Sequence, residues 1–327
     1  MGSKSFRVGT FNVFNLTLPG VACYGDIAYT PDIYDKKRRW IADQLIRMKA
    51  DIVGFQEVFH EQALKEVLAT YDNLAYEHVI VSARNGESPA VALASRFPVL
   101  DYQIFEKFPS GAVLDIEGIA IPLTHFSRPI LAVRLNVCDQ IECTVYVVHL
   151  KSKRPVMPEG VNRNDPIERA KGQARALILR AAEATALRMI LMETLQGKNH
   201  PVILIGDVND SGLSVTSRIV SGEPPGRDIK PDQKQRIWDT LLYPVKDIQG
   251  RRSYGDFYFT HIHGGHYESL DHIMVSQEFV AENPRSVGKV SYVSVLNDHL
   301  IDESLSRDEV EPWQSDHGQV VATIDLK

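Results

Sequence analysis

The stretch 201-PVILIGDVND-210 decides how the chain is read. Val202, Ile203, Leu204 and Ile205 are apolar without alternation, the pattern of a strand covered on both faces. The run stops at Gly206, and Asp207, Asn209 and Asp210 follow at once. A buried strand that ends in two carboxylates and an amide suits a layered α/β protein, in which ligands bind where strand ends converge.

Working outward, similar apolar runs mark strands at 6–13, 52–58, 90–95, 130–137, 143–150, 270–276 and 319–326. Helical patterns cover about 36–48, 60–70 and 165–196, the last dominated by Ala, Leu, Arg, Glu and Met, all strong helix formers. The runs 130–137 and 143–150 read as an antiparallel hairpin, whereas most other strands are separated by helices. That mixture predicts mixed sheets rather than a uniform parallel barrel. Segments 19–35, 154–165 and 221–235 are rich in Pro, Gly and Asp and read as loops. No composition shift marks a boundary, so a single domain over 1–327 is expected, with an elaborated helical segment at about 154–200.

Lysine and arginine total 36 against 42 acids, a net charge of −6, so bulk charge does not mark the chain as a nucleic-acid binder. A local basic cleft remains compatible with that balance. The cysteines, Cys23, Cys138 and Cys143, are odd in number and fit no zinc spacing, which points to a reduced, cytoplasmic chain. No apolar N-terminal run has the form of a signal peptide, Phe6 breaks the myristoylation pattern begun by Met1-Gly2, and no stretch is long enough for stable membrane insertion. Nothing in the sequence sets an oligomeric state.

The motif at 207–210 has counterparts. Asn12 lies in 8-VGTFNVFNL-16, Glu57 ends 52-IVGFQEVF-59, His149 ends 143-CTVYVVHL-150, Asp271 and His272 interrupt 267-YESLDHIMVS-276, and Asp316 and His317 precede the final strand. Singly, each reads as a cap, a turn residue or a structural histidine. Together, oxygen donors dominate: Asn12, Glu57, Asp207, Asn209 and Asp316. Hard oxygen ligands suit Mg²⁺ or Mn²⁺ rather than zinc. His149 and His317 are then free to hydrogen-bond a phosphate or transfer a proton. Hydrolysis of a phosphoester needs a polarising cation, an oriented water and neutralisation of the developing charge, and this set can supply all three.

Asn in the first strand, Gln-Glu at the second, a strand-end His, Gly-Asp-x-Asn, Asp and finally Ser-Asp-His: in this order the motifs resemble the endonuclease/exonuclease/phosphatase superfamily, the deoxyribonuclease I-like proteins. The resemblance implies a four-layer α/β sandwich, two mixed β-sheets packed face to face with helices outside. It implies a divalent metal, Mg (or Mn), held by Glu57 with Asn12 nearby and Asp316 close to it, directly or through water. Asp207 would orient or deprotonate the attacking water, and Asn209 would hold Asp207 or the phosphate. His317, paired with Asp271, would contact the scissile phosphate, and His149 would stabilise the transition state. Segments 86–99 and 125–133 also resemble family strands. In the first, Glu87 would support His149. In the second, Arg128 is either a substrate-facing cation or half of a surface ion pair. The long helix within 164–200 and the 17–35 loop, with Tyr24, Asp26, Tyr29 and Asp32, exceed the family's minimal connections, and such insertions set substrate choice.

Past His149 runs 149-HLKSKR-154, similar to the corresponding string in some secreted bacterial nucleases of the superfamily. Lys151, Lys153 and Arg154 place positive charge directly beyond His149, where Lys151 and Lys153 would bind a substrate phosphate, or the run is a solvated loop. Tyr254, Phe257, Tyr258 and Phe259 would stack on bases or pack in the core. The expected partner is nucleic acid or another phosphoester substrate. A nuclease is the first expectation. The alternative is a phosphatase or phosphodiesterase acting on a small or lipid-linked phosphoester, although no apolar hairpin for membrane contact is evident. A non-catalytic module on the same scaffold would require loss of Glu57, Asp207, Asn209, Asp316 or His317, and all are present. His261, His263 and His266 lie about Gly264-Gly265 and read as a polar hairpin at the rim of the site rather than a zinc centre.

Overall fold

The run at 202–205 lies in the middle of a six-stranded sheet, buried on both faces as its composition demands. The computed structural model describes residues 5–23, 27–83, 86, 88–138, 141–212, 214–225, 230–250, 258–263, 265–302 and 309–327. Tyr24, Asp26, Glu87, Tyr254, Phe257 and Gly264 lie outside the described residues. In chain order the strands of the two large sheets are β1 (Ser5–Leu16), β2 (Ile52–Val58), β3 (His78–Val81), β4 (Ala90–Ser95), β5 (Val99–Lys107), β6 (His125–Val137), β7 (Ile141–His149), β8 (Val202–Asp207), β9 (Leu242–Pro244), β10 (Asp271–Ser276), β11 (Gly288–Leu296) and β12 (Gln319–Leu326). One sheet runs β11-β12-β1-β2-β4-β3 and the other β9-β10-β8-β7-β6-β5. Pairs β1/β2 and β7/β8 are parallel and the rest antiparallel, so both sheets are mixed.

The sheets face each other across a core that includes Phe6, Ile52, Leu93, Val133, Val145, Ile203, Ile273 and Phe279. Helices α1 (Pro31–Met48) and α2 (Glu61–Leu68) cover the outer face of the first sheet through Ile41, Leu45, Leu64 and Val67. Helix α3 (Pro166–Leu195) covers the second through Leu187, Ile190 and Leu191, joined there by Val220 of α4 (Val215–Ser221). The result is the four-layer α/β sandwich. Helix α3 is long for a reason: a parallel β7/β8 pair needs a crossover, and this helix makes it while covering the sheet. Asp165 caps its start by accepting from the Ile167 and Glu168 amides, and Pro166 occupies the first helical position.

Several boundaries differ from the sequence expectation. Helix α1 starts at Pro31, capped by Thr30, so the 19–35 loop ends earlier than its composition suggested. Helix α5 (Pro231–Trp238) begins inside the expected 221–235 loop, and α6 (Val245–Gly250) follows β9. Strands β5 and β11 were not evident because they are edge strands whose exposed polar residues dilute the apolar signal, and β3 and β9, also at edges, are only 4 and 3 residues long, too short for a pattern. The 261–268 segment forms the expected hairpin, His261–His263 with His266–Glu268. Among the described residues, no helix is long and apolar enough to cross a membrane.

Candidate active site

Sheet topology brings the polar strand ends to one edge. Strands β7 and β8 are parallel and end there, and antiparallel β10 begins there, so His149, Asp207 and Asp271 fall in one lateral row. In the facing sheet, parallel β1 and β2 carry Asn12 and Glu57 to the same edge, and antiparallel β12 starts just after Asp316 and His317. Both β1 and β2 break register there. Phe14, Asn15 and Glu57 adopt left-handed φ of 48°, 54° and 64°, as does Asn209 at 56°. Four non-glycine residues in that region are strained, and such strain concentrates where side chains must be aimed.

The Asp207 carboxylate is the hub. Its Oδ2 accepts from Asn12 Nδ2 at 3.3 Å and lies 3.4 Å from His149 Nε2 and 3.9 Å from His317 Nε2. Its Oδ1 accepts from the Asn209 amide at 2.8 Å, and Asn209 Nδ2 donates to the Leu150 carbonyl at 3.0 Å. Asn12 also reaches Glu57 Oε1 at 3.4 Å, and the Asn15 amide donates to Glu57 Oε2 at 3.0 Å. His317 Nδ1 sits 2.8 Å from Asp271 Oδ2. Ser315 Oγ donates to the Asn12 carbonyl at 2.6 Å and accepts from the His317 amide at 3.0 Å, locking the last motif to the first strand.

Burial sets the electrostatics. It pushes the Asp207 carboxyl up to about 7, with the Asp271 and Glu57 charges adding and His317 opposing. Glu57 is raised first by desolvation and then by the Asp316 carboxylate. For His317, burial is outweighed by Asp271, Asp207 and Asp316, so the imidazole is held well above its ordinary range. His149 is driven well below it by burial, with Arg128, His317 and Lys151 adding.

The donors fit a hard divalent cation. Asp316 Oδ1 and Asn15 Oδ1 are buried without hydrogen-bond partners, and Asp316 and Glu57 repel each other. Orphaned oxygens beside mutually repelling carboxylates are what a hard cation satisfies. His261, Asp316 and His317 also present ligand atoms within 4.8 Å of one another, as do Asp207, Asp271 and His317. In the first group His261 Nδ1 is engaged with the Asp316 carbonyl at 2.9 Å, and in the second the Asp271–His317 pair is already made.

The cationic candidates divide. Arg128 is half-buried, donates to the Leu150 carbonyl at 3.3 Å and makes no ion pair among the described residues; its field reaches Glu57 and His149. Lys151 turns inward to Ser152 and the Arg154 carbonyl. Lys153 is committed to Glu268 at 2.7 Å. Tyr258 packs against the intersheet core and Phe259 lies edge-on to Tyr267 at 4.9 Å. A cavity of about 510 Å³ opens beside the site, with His261 and Asp316 on one side and Phe14, Leu300, Val310 and Pro312 among its other walls.

Three positioning groups carry no signal in the sequence. Ser315 stands inside the Ser-Asp-His motif but lacks a titratable group. Thr260 Oγ1 accepts from the Leu270 and Asp271 amides. Buried Glu183 of α3 accepts from the Ser127 and Lys151 amides, both at 2.7 Å. A charged residue in a long amphipathic helix gives no sign in sequence of being turned inward.

No curated protein matches the sequence. Among solved structures, an endonuclease/exonuclease/phosphatase family protein from Bacteroides thetaiotaomicron is 16% identical, over 99% of this chain and 96% of that one, at a TM-score of 0.58. The mannosyl-6-phosphatase Bt3783 of the same organism is 17% identical over 98% and 99% at 0.58. D. rerio TDP2 complexed with a single-strand DNA product is 13% identical over 98% of both chains at 0.57. At these identities the likeness is one of fold. The model of the Endonuclease/Exonuclease/phosphatase family matches residues 9–317. With a match of that extent, the chain belongs to the endonuclease/exonuclease/phosphatase family.

Proposed function

We propose that this chain is a divalent-metal-dependent phosphoesterase that cleaves phosphodiester bonds, with nucleic acid as its first candidate substrate. The observation that carries the reading is the Asp207 hub: a buried carboxylate, pushed up to about 7, within 4 Å of Asn12, His149 and His317. A carboxylate titrating near neutrality is matched to accept a proton from water. Family membership supports phosphoester hydrolysis, and the TDP2 complex with a DNA product supports a nucleic-acid substrate on this fold.

In this reading Glu57, Asp316 and Asn12 hold Mg²⁺ or Mn²⁺, which when bound polarises a phosphoryl oxygen and offsets the charge that builds on it. Asp207 takes the proton of the water whose oxygen attacks phosphorus, the P–O bond to the leaving group breaks opposite it, and the departing oxygen takes up a proton from solvent. Asn209 fixes Asp207 through its amide and ties the loop to Leu150. His317 keeps its proton because Asp271 faces Nδ1, and so presents Nε2–H to a non-bridging oxygen. His149, neutral in its buried pocket, steadies Asp207 and the oxygen opposite. Arg128 supplies further positive charge. The chain acts as one catalytic unit, with the 154–200 segment as its elaboration. The free, buried thiol of Cys143 is in keeping with a cytoplasmic location.

A second reading, a phosphatase or phosphodiesterase for a small or lipid-linked ester, is favoured by the partly apolar cavity beside Asp316. A panel of single- and double-stranded DNA, RNA, a simple phosphodiester, a phosphomonoester and a choline phospholipid separates the two. Each is assayed with Mg²⁺, Mn²⁺ and EDTA. Turnover should vanish in EDTA and fall at least about a thousandfold in Glu57→Gln and in Asp207→Asn. Retained turnover in both variants would sink the assignment.

A further inference from the structure

The sequence placed positive charge beyond His149 at Lys151, Lys153 and Arg154, and the structure turns the two lysines away, one inward and one to Glu268. Arg154 has other arginines for neighbours. Arg154, Arg163 and Arg169 line an open cavity of about 320 Å³ together with Pro155 and Met157. Among the described residues none of the three arginines has a carboxylate within ion-pair distance. The nearest helical acid, Glu168, is taken by Lys171 at 2.7 Å and lies 4.0 Å from Arg175. Three guanidiniums around one concavity, in a chain of net charge −6, repel one another unless an anion joins them.

The cavity is built rather than incidental. The 155–157 loop is pinned to α3: the Val156 amide donates to the Gly172 carbonyl at 3.0 Å, and Arg175 donates to the Val156 carbonyl at 3.2 Å. Gly172 makes this docking possible. A Cβ there would come 2.8 Å from Met157 Sδ and 2.9 Å from Pro155 Cβ. Arg163 stands in a turn held by Asn162, which accepts from the Asn164 amide, and by the Asp165 cap of α3. The arginines therefore come from three segments that are each tied down: the start of the 155–157 loop, this turn and the first turn of α3.

We propose that this three-arginine cavity is a second phosphate subsite, taking a backbone phosphate of a nucleic-acid strand whose scissile phosphate lies at Asp207; this rests on the phosphoesterase reading above. Arg154 is five residues beyond His149, so its Cα lies within about 18 Å of the catalytic row. A substrate that engages both places must carry at least two phosphates across such a span, as a polynucleotide does and a sugar monophosphate does not. Guanidinium groups bind phosphate bidentately, and the grip does not depend on base identity. Ile167, 64% exposed on the same first turn of α3, is the feature that would suit an anionic bilayer instead.

The test separates binding from turnover. Binding of a fluorescein-labelled ten-nucleotide thymidine strand is followed by anisotropy in EDTA across a salt series. Arg163→Gln with Arg169→Gln should weaken binding about tenfold and flatten the salt slope by about 1. Gly172→Ala keeps every guanidinium and favours the helix, yet displaces 155–157, and should weaken binding in the same direction. In parallel, bis(4-nitrophenyl) phosphate, with its single phosphodiester, is assayed with Mg²⁺. No hydrolysis of that ester by the wild type in Mg²⁺ or Mn²⁺ defeats the phosphoesterase reading. Hydrolysis of the ester alongside wild-type strand binding in the arginine pair overturns only the subsite. Loss of retention on phosphatidylserine vesicles with strand binding unchanged also overturns it, in favour of a membrane contact.

Discussion

The Asp207 carboxylate reaches its place because the residue before it is glycine. Gly206 has φ of 146°, and a Cβ on it would lie 2.0 Å from the Val148 carbonyl oxygen. The strand thus bends against β7 just where it hands Asp207 to His149. Gly206→Ala should cost about 3 kcal/mol or more, since neither the backbone angle nor the carbonyl can give way cheaply. A urea midpoint within experimental error of wild type would show that the strand has another way to bend. Asp271 is equally specific in what it does. It is fully buried, and its Oδ2 pairs with His317 Nδ1 at 2.8 Å. Asp271→Asn keeps the shape and removes the charge that holds the imidazole protonated. The His317 resonance should then titrate at lower pH, and turnover should fall about a hundredfold. An unchanged titration would mean that Asp207 and Asp316 suffice to hold the proton.

At the scale of elements, α3 does more than cover a sheet. Glu183 receives the amides of Ser127 and Lys151, and Arg180, also buried, donates to the Lys151 carbonyl and lies 3.5 Å from Asp210. One helical turn thus ties together the start of β6, the segment after His149 and the loop after Asp207. Glu183→Ala should cost about 2 kcal/mol by leaving two part-buried amides without their acceptor, read from urea unfolding. It should also open 150–154 to limited proteolysis in the native protein. Cleavage no faster than wild type would show that the clamp does not hold that segment. The outset of β7 and β8 supplies a pH effect. Half-buried His200 faces Thr144 Oγ1 at 2.9 Å, and burial lowers its imidazole below the ordinary 6.5. Above that pH both folded and unfolded forms are neutral and nothing is lost. As pH falls below 6.5 the unfolded chain binds the proton more readily, so this group's contribution declines. His200→Gln should lack that decline, and a parallel pH dependence in both proteins would dismiss it. None of these tertiary ties was legible in the sequence, whereas β2, β4 and β12 were, end to end, because each carries a run of buried apolar residues. The edge strand β5, with most of its residues exposed or half-exposed, offered no such pattern.

For the whole molecule, the decisive fact is that the site is shared between two sheets. Asn12, Glu57 and His317 come from one, and His149, Asp207 and Asp271 from the other. The sequence showed which residues stand at strand ends. It could not show which strands pair, because the partners are far apart: Asn12 and Asp207 are separated by 195 positions. In the proposed reaction the distance between the sheets is a catalytic parameter, and it is set in the core beneath the strand ends. Gly54 on β2 faces Ile205 on β8, and a Cβ at Gly54 would meet Ile205 Cδ1 at 2.5 Å, Ile205 Cγ1 at 2.8 Å and Val147 Cγ1 at 3.0 Å. These are three contacts in a packed interior, so Gly54→Ala should cost about 1–3 kcal/mol. It should also widen the gap between Glu57, three residues on in β2, and Asp207, two residues on in β8. Gly9 offers the control. Its added Cβ would meet only the flexible tip of Met48 at 2.4 Å, on the outer face of the same sheet, with the next atoms at 3.4 Å or beyond. If intersheet spacing governs the reaction, Gly54→Ala loses turnover out of proportion to its stability while Gly9→Ala does not. The comparison is made at a temperature where both variants are fully folded. Equal turnover in the two would mean that the strand ends adjust independently of the core beneath them.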